Sequence, residues 1–153
     1  MDAVDRRLVD ALRANGRATY AELARTVGLS APAVHERVAK LETAGVITGY
    51  HAAVAPTALG NTVNALVGVF VSDGSDTEAI TAELSSLAVV EDCWFVAGDV
   101  TFIVKISVPD VAALEGAIRD LNALPGIART RTTVVLSTKF EGRSPGATGI
   151  AKG

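Results

Sequence analysis

The sequence predicts an α+β chain in two parts: a three-helix unit containing a helix-turn-helix, then a four-stranded antiparallel sheet with helices on one face. Three observations carry this. Residues 19–47, TYAELARTVGLSAPAVHERVAKLETAGVI, keep a helical apolar period broken once, at Gly28. From Thr62 the apolar period becomes two, with Val63, Ala65, Val67, Val69 and Val71 on one face. Strand-like and helix-like segments then follow in the order βαββαβ, that of a ferredoxin-like sandwich.

Each element has a local reason. In residues 4–14, Val4, Leu8, Ala11 and Leu12 share one helical face, and Asn15-Gly16 is a stop. Thr19 and Glu22 form a capping box for a second helix ending at Val27-Gly28. Ala24 lets two helices approach closely, and Gly28 takes the positive φ that the turn demands. Ser30 caps a third helix, Pro32 is tolerated in its first turn, and Val34, Val38 and Leu41 make its buried stripe. Ala44-Gly45 ends it.

Residues 46–55, VITGYHAAVA, predict a short β segment, closed by Pro56 and Gly60. Residues 62–72 are a long strand, and Asp73-Gly74 turns the chain. Ser75 and Glu78 predict a second capping box, opening a helix to about residue 87. Strands over 89–97 and 100–108 flank Gly98-Asp99 as a hairpin turn. Pro109-Asp110 opens a helix that holds Val111, Leu114, Ile118 and Leu121, and residues 128–140 form the last strand. The expected division is a three-helix unit over 1–49, a linker over 50–60, a sheet unit over 61–141, and a disordered tail over 142–153.

Composition narrows the class. Nearly half of the 153 residues are hydrophobic but only 5% are aromatic, so the cores are built from Ala, Val, Leu and Ile. No apolar run approaches the roughly 20 residues that span a bilayer, and the N-terminus lacks a signal-peptide pattern. The single cysteine, Cys93, has no internal disulfide partner, which fits a reducing cytoplasm. Net charge is −3, unevenly distributed: residues 1–55 carry seven bases against six acids, and the rest seven against eleven.

Catalytic and metal-binding classes find no support. His35 and His51 have no partners at metal-ligand spacing. Asp73-Gly74-Ser75-Asp76 resembles a calcium loop, but Glu78 stands where glycine is needed and Leu84 where the last glutamate is needed. Cys93 beside Trp94 lies in a strand, no glycine-rich loop precedes Lys-Ser or Lys-Thr, and no nucleophile, base and orienting group assemble. The sequence predicts neither an enzyme nor a cofactor.

The third helix is the candidate reader of DNA. At 100° per residue, Pro32, Ala33, Glu36 and Lys40 point away from the buried stripe, with His35 and Arg37 on the flanks. A recognition helix uses its N-terminal outward residues on base edges. Glu36 is suited to accept from cytosine N4, and Arg37 or His35 to donate to guanine. Lys40, Arg25, Arg17 and the Ser30 and Thr19 hydroxyls are the expected phosphate contacts. The sheet gives a second clue. Its face away from the helices carries Leu66, Gly68 and Phe70, too apolar for water, so a second subunit is expected to cover it.

Four segments in order, GRATYAELARTVGLS, VHERVAKLETAGVITGY, VAGDVTFIVKI and LPGIARTRTTVVL, resemble the Lrp/AsnC (feast/famine) family of transcription regulators over about residues 2–141. The resemblance implies a winged helix-turn-helix DNA-binding domain and a C-terminal effector domain. It implies dimers through the C-terminal sheets, often assembled into tetramers, octamers or larger discs on double-stranded DNA. It also implies a small effector, commonly an amino acid, near Gly98-Asp99. Effector contacts are expected from Gly98, Asp99, Val100 and Thr101, with Thr132 and Thr133 on the last strand as further donors. Where the family often shows Gly-Asp-x-Asp, this chain has Gly98-Asp99-Val100-Thr101, so a ligand ammonium meets at most one local carboxylate. Two other readings rest on the same residues: an architectural DNA-bridging protein without an effector, and a metabolite-binding regulatory subunit of an enzyme whose helix-turn-helix contacts protein.

Overall fold

The computed structural model describes residues 1–142, and the chain divides into two units, one over Met1–Ala53 and one over Val54–Lys139. The expected tail over 142–153 lies, but for Gly142, outside the described residues.

The first unit is built from α1 (Ala3–Ala14), α2 (Tyr20–Val27) and α3 (Ala31–Thr43). Asp2 and Asp5 cap α1 reciprocally, each side chain accepting the other's backbone N–H at 2.8 and 2.9 Å. Thr19 and Glu22 make the same reciprocal box on α2, as the sequence predicts. Gly28 is left-handed, with φ +75°, and its N–H returns to the Ala24 carbonyl at 2.8 Å. Leu8, Leu23, Ala24, Val27, Val34 and Val38 form the small core, and Ile47 packs against it.

The β segment expected over 46–55 is not formed. Val46 and Ile47 instead donate their N–H groups to the Leu41 carbonyl, at 2.9 and 3.1 Å, and close the end of α3. A strand needs a neighbour for its ladder, and no strand pairs with these residues among the described ones. The winged part of the expected fold is therefore absent as a β element, and Pro56–Leu59 forms a short 3₁₀ turn.

The second unit contains β1 (Val63–Val71), α4 (Thr77–Ser86), β2 (Val90–Phe95), β3 (Phe102–Val108), α5 (Val111–Ala123) and β4 (Ile127–Val135). The strands lie in the order β2-β3-β1-β4, and every neighbouring pair is antiparallel. Ala65, Val67 and Val69 of β1 and Phe102, Val104 and Ile106 of β3 point to the helix side, where Ile80, Leu84, Leu114 and Leu121 cover them. This is the α+β sandwich that the period-two pattern predicts.

Several boundaries differ, β3 among them, which starts at Phe102 and not at 100. Asp76, not Ser75, caps α4, because its carboxylate reaches both the Glu78 and Ala79 N–H groups, at 3.0 and 3.3 Å. β2 ends at Phe95 rather than 97, so the connection to β3 is a broader loop than a two-residue hairpin. β4 ends at Val135 rather than 140, where its pairing with Asn64 of β1 runs out.

Candidate functional site

The third helix starts from a cap, since Ser30 Oγ accepts the Ala33 N–H at 3.4 Å and Pro32 sits in the first turn. Val34, Val38 and Leu41 are buried, as their spacing requires. Pro32, His35, Glu36 and Lys40 are therefore exposed, with Ala33 half-buried. The first turn of α3 has no acidic residue, so its positive dipole end is open to an anion.

The outward side chains are arranged with one another. Lys40 Nζ donates to Glu36 Oε1 at 2.7 Å, and this bond holds the Glu36 carboxyl below its usual range. His35 meets Tyr20 of α2 edge-on, ring centres 4.8 Å apart. Arg37 departs from its expected role. Its Nη1 donates to Asp2 Oδ2 at 2.7 Å and to Asp5 Oδ1 at 2.8 Å, so the guanidinium is turned onto the start of α1. The Asp5 backbone N–H, and then Arg37, hold the Asp2 carboxyl down at about 2. Arg37 thus ties the reading helix to the first helix. Sequence spacing indicated neither the Asp2–Asp5 cap nor its Arg37 partner, 35 residues away.

The expected phosphate contacts are spread along α2 and α3. Arg17 and Arg25 are exposed near the two ends of α2. The Thr19 hydroxyl donates to Glu22 Oε2 at 3.0 Å, which commits it to the cap. Behind this surface Tyr50 Oη donates to Glu42 at 2.8 Å. Burial, then Glu42, pushes the phenol up to about 12.

The second candidate, the loop between β2 and β3, folds back over the sheet face away from the helices. Thr101 N–H donates to the Val69 carbonyl at 2.9 Å, and Val96 N–H donates to the Thr101 carbonyl at 3.0 Å. Val100 packs onto Gly68 of β1, while Gly98, with φ +150°, and Asp99 are exposed. The expected strand residues divide. Thr133 pairs with Leu66 and shares the loop's face, whereas Thr132 pairs with the buried Val67 and faces the helices. Thr132 and Thr133 therefore do not act from one side.

The face under the loop is apolar in its middle. Leu66 and Trp94 are 39% and 47% exposed, and Ile103 lies between their strands. Arg129 stacks on Phe70, 3.6 Å from the ring centre, with Arg131 beyond it at 5.3 Å. Sequence parity indicated an apolar face here but not this stacked margin. Among the described residues no cluster of His, Cys, Asp or Glu could hold a metal, and no helix is long and apolar enough to cross a membrane.

A capped, exposed third helix in one unit and an antiparallel sheet carrying the 96–101 loop in the other fit a DNA-binding regulator with a separate C-terminal domain. Comparison with known proteins agrees. Residues 1–42 match the AsnC-type helix-turn-helix domain, and residues 64–145 match the Lrp/AsnC ligand-binding domain. The chain belongs to the Lrp/AsnC family of transcriptional regulators and is not an enzyme. It is 38% identical over 143 residues to the HTH-type transcriptional regulator LrpA of Mycobacterium tuberculosis, covering 94% of this chain and 95% of that one. It is 33% identical over 137 residues to the regulatory protein AsnC of Escherichia coli K12, covering 89% and 90%. Among solved structures, the M. tuberculosis feast or famine regulatory protein complexed with L-methionine superposes with a TM-score of 0.88 at 38% identity, covering 94% and 99%.

Proposed function

We propose that this regulator reads a specific operator through Pro32, Ala33, His35 and Glu36 of α3, with Lys40, Arg17, Arg25 and Ser30 at the backbone. The carrying observation is the exposed α3 surface, in which Lys40 is held against Glu36 at 2.7 Å. A carboxylate beside phosphates is repelled unless a base edge donates to it, so Glu36 favours a cytosine N4 amine and turns away sites lacking one. Arg37 supports this surface through Asp2 and Asp5. The working division is DNA binding over 1–49, a linker over 50–60, and effector binding and assembly over 61–141, in a cytoplasmic protein.

A unit with seven bases against six acids binds DNA weakly as a single copy. Pairing of two copies through the Leu66–Trp94 face supplies a second reading helix, about one DNA turn or 34 Å away, and raises effective concentration. Larger assemblies of dimers extend the same logic. The effector is a small amino acid held near Gly98, Asp99, Val100 and Thr101 with Thr133; the methionine-bound relative supports this class. It acts by binding one assembly state more tightly than another.

The test is selection of bound DNA from a random pool, repeated with each amino acid present. A pseudo-palindromic motif whose enrichment changes with one amino acid is expected. Enrichment without sequence preference would instead support an architectural DNA-bridging protein.

A further inference from the structure

Gly68 lies in the middle of β1, the strand between β3 and β4, where glycine weakens a sheet. Its backbone does not call for glycine, for it is not among the positive-φ residues. Space does. A Cβ at position 68 would stand 2.9 Å from Val100 Cγ1 and 3.6 Å from Val100 Cβ. We propose that Gly68 is the positioning residue of the 98–101 loop, and that Val100, seated on it, links the loop's placement to pairing of the sheet face with a second copy. This rests on the reading of that loop as the effector site and of that face as the dimer surface.

The geometry leaves Val100 little freedom. Valine is branched at Cβ and stiff at χ1, so Cγ1 cannot swing clear without its backbone following. That backbone is fastened on its C-terminal side, where Thr101 N–H meets the Val69 carbonyl at 2.9 Å and the Thr101 carbonyl meets Val96 N–H at 3.0 Å. Asp99, the one carboxylate the loop offers, is the residue before Val100. Its location therefore follows from the hollow over Gly68. Ile103 is the β3 partner of Gly68, and Leu66 lies two residues along β1, both with the parity of the loop-bearing face. A second copy seated on Leu66, Ile103 and Trp94 meets Val100 on that face. Sheet pairing and loop order then share one contact, and by linkage each biases the other.

The experiment compares Gly68→Ala, Val100→Ala and the double variant in the full chain. Three readouts are followed: amide exchange at Thr101, the dimer dissociation constant by sedimentation, and the melting temperature with and without L-methionine. The added methyl evicts Val100 in Gly68→Ala, and Val100→Ala empties the hollow. Each single change is expected to speed Thr101 exchange at least about tenfold while Val67 and Val104 amides stay protected. The double change, in which the new methyl occupies the emptied hollow, is expected to return within about twofold of the parent. Dimer dissociation is expected to follow the same pattern.

Additive loosening in the double variant, or unchanged Thr101 exchange in Gly68→Ala, would overturn the positioning role. Loosened exchange with unchanged dimer dissociation would overturn the link to pairing. If Gly68→Ala does not fold, a folded double variant supports the proposal and an unfolded one overturns it, since the glycine would then serve the strand alone. A parent chain that ignores L-methionine and the other amino acids, with exchange behaving as expected, would refute the effector reading and leave the Gly68 role standing.

Discussion

The two units are held together by different means. The second has a continuous apolar core of twelve buried residues, from Ala65 on β1 to Leu121 on α5. The first buries six in its main cluster and adds charged and hydrogen-bonded fastenings around them: the Asp2–Asp5 and Thr19–Glu22 boxes, Arg37 across to α1, and Tyr50 on Glu42. Fastenings of this kind lie at the surface, where water and salt weaken them. The unit that must meet a polyanion is thus the more salt- and pH-sensitive one, while the sheet unit relies on burial that ions hardly affect.

The largest effect that would sharpen this contrast is in the sheet unit. Phe102 is 2% exposed, and Phe102→Ala is expected to cost about 3–5 kcal/mol, measured by urea denaturation. A smaller loss, near 1 kcal/mol, would mean that the core is looser than its burial implies. Next comes Gly28→Ala, which forces a Cβ into a left-handed turn and is expected to cost about 1–2 kcal/mol. That site has open space around it, so the loss would be conformational and not steric.

The third comparison concerns DNA. Lys40→Ala should lower the dependence of log affinity on log salt by about one charge. Arg37→Ala should weaken operator binding with the salt slope unchanged, and Asp2→Asn with Asp5→Asn should reproduce it. If Arg37→Ala also lowers the slope, Arg37 touches phosphate and does not act through α1. The smallest effect is with pH. The Asp2, Asp5 and Glu22 carboxyls lie below their usual range, because backbone N–H groups bind their charged forms. Their contribution is full above the ordinary carboxylate pKa and is lost as pH falls through their lowered values, about 2 for Asp2. Tyr50 is raised, so its contribution is full below pH 10 and is lost as pH rises toward 12. Circular dichroism of the helical signal across both ranges should show the first unit loosening at each end.

Much of the architecture was legible because periodicity and caps are local. The stripe of Val34, Val38 and Leu41, the Thr19–Glu22 box and the alternation through β1 all appear as expected. The misses share a different origin. Residues 46–55 looked strand-like, yet a strand exists only with a neighbour, and none pairs there among the described residues. Arg37 falls on the flank of the helical wheel and was expected to donate to guanine, but its partners in the fold lie at the other end of the unit's sequence. Gly68 entered the sequence reading only as part of the sheet's outer face, and its closeness to Val100 depends on a loop some thirty residues further along the chain. Contacts distant along the chain are what local pattern cannot supply.

The Arg37 fastening also has a practical side. Asp2 is at once the cap of α1 and a partner of Arg37, and Met1 helps line the groove of about 460 Å³ beside Glu36 and Lys40. An affinity tag joined ahead of Met1 would begin at the edge of the reading surface. It would be expected to disturb operator binding before it disturbed the sheet, and an apparent loss of specificity in such a fusion would be a property of the handle used to purify it.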